Sequence, residues 1–110
     1  MAIIVSTGNP GDLLKSIYKG IDDGDIETWS YDSDGDFTHT PDQWRNKAWL
    51  VPKVGVGELR FGILKQKDVN LSKLIYGVYH GRFIEMLLNH FDNAFSGALA
   101  TAHKTTPDIF

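Results

Sequence analysis

The sequence predicts a small α+β domain, in which a mixed or antiparallel sheet of about five strands carries two main helices packed on one of its faces. Three observations carry that prediction. The β-branched run Ala2 to Val5 leads straight into a helix-start signal, and short β patterns punctuated by Gly, Pro and Asp fill residues 26 to 65. The stretch from Leu71 to Phe91, LSKLIYGVYHGRFIEMLLNHF, is then the longest helical pattern in the chain. The expected order is β-α-β-β-β-β-α.

A chain of 110 residues with 42% hydrophobic content fits one domain with a core that needs no disulfide or structural metal. That domain is expected over residues 1–104, with 105–110 as a C-terminal tail whose Ile109 and Phe110 could dock as an apolar anchor. There is no cysteine, which removes disulfides, thiolate zinc sites, iron–sulfur ligation and cysteine nucleophiles together. The first residues lack a basic region, and nowhere do about 18 apolar residues run consecutively, so a soluble, cytoplasmic protein without a membrane segment is the expectation. The net charge of −3 gives little electrostatic support to nucleic-acid binding.

In chain order, Ala2 to Val5 reads as a buried strand. Asn9 is placed to cap the helix that follows, Pro10 suits its first turn, and Asp12 favours the positive end of its dipole. Leu13, Leu14, Ile17, Tyr18 and Ile21 share one side of that helix, and Gly24 is a fitting left-handed stop. Ile26 to Tyr31 reads as a strand that turns at Asp32-Ser33-Asp34-Gly35 into a second strand through Phe37 and His39. Thr40-Pro41-Asp42-Gln43 has the form of a capping box that predicts one helical turn ending near Arg45. Lys47 to Val51 reads as a strand limited by Pro52. Leu59, Phe61 and Ile63 alternate with Glu58, Arg60 and Gly62 as a half-buried strand. Beyond Phe91, helical spacing resumes weakly through Ala94, Phe95, Ala98 and Leu99, interrupted by Gly97.

Charge is segregated along the chain. Asp22, Asp23, Asp25, Glu27, Asp32, Asp34 and Asp36 occur without an intervening Lys or Arg, while Arg45 to Lys73 is rich in basic residues. Two neighbouring strands with solvated, partly compensating charges explain this; a subunit boundary at which the two stretches meet is the sharper alternative.

For catalysis, the candidates are His80, His39 and the hairpin carboxylate Asp34. A general base needs an imidazole beside a partner, yet His80 lies on an apolar helical face between Tyr76, Phe83, Ile84 and Leu87, and Glu85 projects away from it. Asp32-Ser33-Asp34-Gly35-Asp36 shares alternating acids with the opening of a calcium loop. Its glycine is fourth instead of sixth, however, and Gln43 occupies the twelfth position instead of Glu, so a hairpin turn is expected and no metal site. No cofactor motif is present: Gly8-Asn9-Pro10-Gly11 lacks both the Walker lysine and the GxGxxG pattern.

For binding, Trp29, Tyr31, His39, Trp44 and Trp49 form either core or, on an uncovered sheet face, an aromatic ligand patch for a small molecule or peptide. On Leu71 to Phe91 the apolar arc runs from Ile75 and Met86 to Ile84 and Leu88, wider than an ordinary helix stripe. Gly77 and Gly81 allow close backbone approach, and Arg82, Glu85 and Asn89 lie on the more polar side. These five residues are the candidate interface. The leading expectation is a non-catalytic interaction or ligand-binding module acting as a homodimer. An acid–base hydrolase or isomerase using a histidine with a hairpin carboxylate, and a nucleic-acid-binding protein, are the alternatives.

Overall fold

The computed structural model describes residues 2–110. Its elements are β1 (Ala2–Ser6), α1 (Pro10–Asp22), β2 (Trp29–Tyr31), β3 (Phe37–His39), β4 (Ala48–Val54), β5 (Glu58–Lys65), α2 (Lys73–Phe91) and β6 (Gly97–Ala100). They build one α+β domain on a six-stranded sheet of order β2-β3-β4-β5-β1-β6, with every neighbouring pair antiparallel.

The register explains the single core. Ile3 lies opposite Phe61, Leu50 opposite Ile63, and Phe37 opposite Leu50, so these side chains share one sheet face. Leu13 and Ile17 of α1, with Tyr76, Tyr79, Phe83, Met86 and Leu87 of α2, bury against that face. Both helices therefore cover the same side. The other side carries Ile4, Trp49, Val51, Arg60, Gly62, Leu64 and Leu99, which alternate with the core residues.

The local signals act largely as the residues dictate. Pro10 opens α1, and Gly24 closes it at φ +81° with its N–H on the Ile21 carbonyl at 3.1 Å. Asn9 holds the cap position without a side-chain cap, and its own N–H donates to Thr7 Oγ1 at 3.3 Å. Ser72 does cap α2, accepting from Ile75 N at 3.1 Å. The expected capping box at Thr40 is not made. The Thr40 hydroxyl instead donates to the Glu27 carbonyl, although Arg45 N still reaches Pro41 O at 3.0 Å and closes one turn. Pro52 is accommodated inside β4 because β3 pairs only as far as Leu50, leaving Pro52 on an edge stretch.

The main departure is β6. Helical spacing through Ala94 to Leu99 gives way to a strand in which Ala100, Leu99 and Ala98 pair with Ile3, Ile4 and Val5. The free backbone edge of β1 needs partners, and Asp92, Asn93 and Gly97 are weak helix formers, so sheet pairing outweighs the local pattern. β1 is thereby central instead of an edge.

Residues 105–110 fold onto the sheet. Ile109 N donates to Ile63 O at 2.8 Å and Ile63 N to Asp108 Oδ1 at 2.8 Å, extending the lane that β1 leaves empty beside the end of β5. Gly62 makes this possible: a Cβ there would stand 2.3 Å from the Pro107 carbonyl carbon. Phe110 then packs edge-on against Tyr76 of α2 at 5.6 Å.

Candidate functional site

The two histidines considered for catalysis are built into the packing. His80 is 3% exposed, its ring stacked on Tyr76 at 4.5 Å. Its Nδ1 lies 2.7 Å from the Tyr76 carbonyl, and since a carbonyl only accepts, that nitrogen carries the proton. His39 is 5% exposed, packs on Trp29 at 4.5 Å, and donates from Nδ1 to Thr28 O at 2.7 Å. Burial holds its pKa below the ordinary value; the Thr28 bond opposes this, Arg82 adds to it, and Glu85 opposes it. The charged groups that reach His39 thus come from α2, and Asp34, exposed at the tip of the hairpin, is not among them.

The aromatic candidates do not form one patch. Trp29 is core, edge-on to Tyr79 and Phe83. Tyr31 lies at the rim, 4.7 Å from Tyr18, with its hydroxyl donating to Asp22 at 2.7 Å. Trp44 is partly buried against the core. Trp49, paired with Leu64 between the core residues Ala48 and Leu50, faces the opposite side of the sheet.

The outward side of α2 is open. A Cβ on Gly77 or Gly81 would meet nothing within 4 Å, and these glycines line a shallow depression of about 240 Å³ with Val78, Arg82 and Glu85. Arg82 and Glu85 form an exposed ion pair at 3.3 Å, and Asn89 lies beyond them, also exposed. No family model, curated protein or solved structure matches the chain. Site chemistry therefore rests on geometry alone.

Two features escaped the sequence reading. Leu74 and Leu88 are 67% and 56% exposed and share the outward side of α2 with Gly81. The helical periodicity contained this signal, since the three are spaced seven apart. Leu88 ends the wide apolar arc; in the fold, the sheet, the tail and Phe91 against Gly20 of α1 cover the rest of that arc and leave Leu88 out. The second is a cleft of about 450 Å³ between the start of α2 and the tail, lined by Leu71, Lys73, Tyr76, His103, Lys104 and Phe110. Nothing local announces it, because the tail must first dock.

The basic stretch does not present a uniform row. Arg60 is engaged by Glu58 and by Thr106 O, and Arg45 donates to Thr40 O. This weakens the case for a phosphate-tracking face.

Proposed function

We propose that this protein is a non-catalytic interaction module that works as a homodimer, with the outward side of α2 as the contact. The observation that carries the reading is the stripe Leu74, Gly77, Val78, Gly81 and Leu88. Its two leucines are largely exposed, and its glycines have open space above them. Leu74 and Leu88 stand equally far from Gly81, so an antiparallel two-fold pairing centred on Gly81 sets each leucine of one copy against the other leucine of its mate. The glycines let the axes approach at the near end of the usual 8–10 Å range. Arg82, Glu85 and Asn89 supply a polar rim.

Interface size bounds the strength. From Leu74 to Leu88 a helix is about 21 Å long, which covers less than the roughly 800 Å² per partner of a standard interface. A micromolar dimer follows. Light scattering across about 10 to 500 µM is expected to show a monomer–dimer equilibrium with a dissociation constant in that range. Leu88→Glu should leave a folded monomer by circular dichroism. A wild type that stays monomeric throughout overturns the reading, and a Leu88→Glu variant that dimerises as well as wild type removes α2 as the contact.

The packing of His39 and His80 favours this reading over an acid–base enzyme, which needs a histidine and a hairpin carboxylate within about 3 Å or one water of each other.

A further inference from the structure

We propose that the cleft between the start of α2 and the docked tail is a binding site for a small carboxylate with an apolar body, of the arylacetate kind. This goes beyond the dimer and is independent of it. The cleft is about 450 Å³, within the usual size of small-molecule sites. Leu71, Tyr76 and Phe110 give it apolar walls, Lys73, His103 and Lys104 stand around it, and among the described residues no acid lines it. Apolar walls beside cationic groups match an anion that carries an apolar body better than a bare ion or a neutral molecule.

Tyr76 is the observation that points to a ligand. It is only 4% exposed, and its hydroxyl is sealed from solvent with no hydrogen-bond partner among the described residues. Its backbone is spent, the N–H on Ser72 O at 3.1 Å and the carbonyl on His80 Nδ1 at 2.7 Å, so the hydroxyl is the group left over. A buried phenol without a partner is costly, and an acceptor brought in beside it removes that cost. The O–H donates and a carboxylate only accepts, which agrees with the charge around the cleft. The Phe110 ring, 39% exposed and edge-on to Tyr76 at 5.6 Å, is the wall that turns aside to admit the ligand.

The positive end of α2 supplies the rest. Ser72 Oγ takes only Ile75 N, which leaves the N–H groups of Lys73 and Leu74 at the open end of a 19-residue helix. No acid stands in its first turn, so the helix dipole is uncompensated there and Lys73 adds to it. Lys104 is held in place: its Nζ donates to Phe110 O at 2.7 Å and stands 5.3 Å from the centre of the Phe110 ring, with further N–H donors to spare. The turn that presents His103 and Lys104 is tied by the His103 carbonyl, which accepts from the Thr101 and Thr105 hydroxyls, both at 2.9 Å.

Amide NMR shifts of the full chain titrated with phenylacetate test this. Saturable shifts at Lys73, Leu74, Tyr76 and Lys104 are expected with a Kd of about 1 mM, the scale for a ligand of about ten non-hydrogen atoms. Benzyl alcohol, which lacks the charge, and inorganic phosphate, which lacks the apolar body, should each bind at least about tenfold more weakly. Tyr76→Phe should melt at or above wild type, since it removes an unpartnered hydroxyl, yet bind phenylacetate about tenfold more weakly. Lys73→Gln should weaken binding about threefold, and Lys15→Gln on α1 should leave it unchanged. Three results overturn the proposal: no saturable shift up to about 20 mM phenylacetate, phosphate bound as tightly as phenylacetate, or Tyr76→Phe binding as tightly as wild type.

Discussion

The inward side of α2 carries Tyr76, Tyr79, His80, Phe83, Met86 and Leu87, all buried, whereas its outward side carries Leu74, Gly77, Gly81 and Leu88, all exposed. The inward residues are large and interlocked: Phe83 alone touches the rings of Phe61 at 4.6 Å, Trp29 at 4.9 Å and Phe37 at 5.5 Å. The outward residues are small or unpacked. One side of the helix therefore determines whether the chain folds, and the other can change without disturbing the fold.

The largest effect belongs to the inward side. Phe83→Ala should cost about 3–5 kcal/mol in urea denaturation, because it removes apolar area and leaves a cavity that the surrounding rings cannot fill. A loss under about 1 kcal/mol would mean that the aromatic cluster is not the centre of the core.

A smaller, pH-dependent effect arises where His39 closes the end of this cluster, 6.2 Å from Tyr79. Its folded pKa is lowered, mainly by burial, so the unfolded chain binds the proton more readily. Stability from this group is present above the unfolded value near 6.5 and is lost as pH falls below it, at no more than about 1.4 kcal/mol per pH unit. Denaturation of wild type and His39→Gln at pH 7.5 and 5.5 should show a larger acid loss for wild type. Equal losses would place His39 outside the buried cluster.

The smallest effect lies outward and has the opposite sign. Gly77→Ala should stabilise the isolated monomer by about 0.8–1.0 kcal/mol, since alanine is the better helix former and the added methyl meets nothing. The same variant should weaken self-association in light scattering at high concentration. A destabilised monomer would show that another part of the chain covers this side.

Much of the architecture was legible because its signals are local. Alternation in Leu59, Phe61 and Ile63 placed β5, Pro10 and Gly24 bounded α1, and the Asp32 to Gly35 turn set the hairpin. The candidate sites were less legible. Trp29 and Trp49 look alike in the sequence yet lie on opposite sheet faces, and which face is covered depends on where both helices pack. His80 and His39 read as possible bases until packing committed their Nδ1 protons to the Tyr76 and Thr28 carbonyls. The spacing of Leu74, Gly81 and Leu88 was visible, but nothing in the spacing says that the stripe faces outward.

The sequence by itself determined the α+β class, the two helices, the hairpin and the segregation of acids into one stretch, since propensity, periodicity and turn chemistry act over a few residues. Tertiary structure alone decided that Gly97–Ala100 is a strand and that residues 105–110 dock beside β5. Each depends on a backbone edge or surface supplied by a distant part of the chain. β1 offers its free hydrogen-bonding edge to residues more than ninety positions away, and no local preference can encode such a partner.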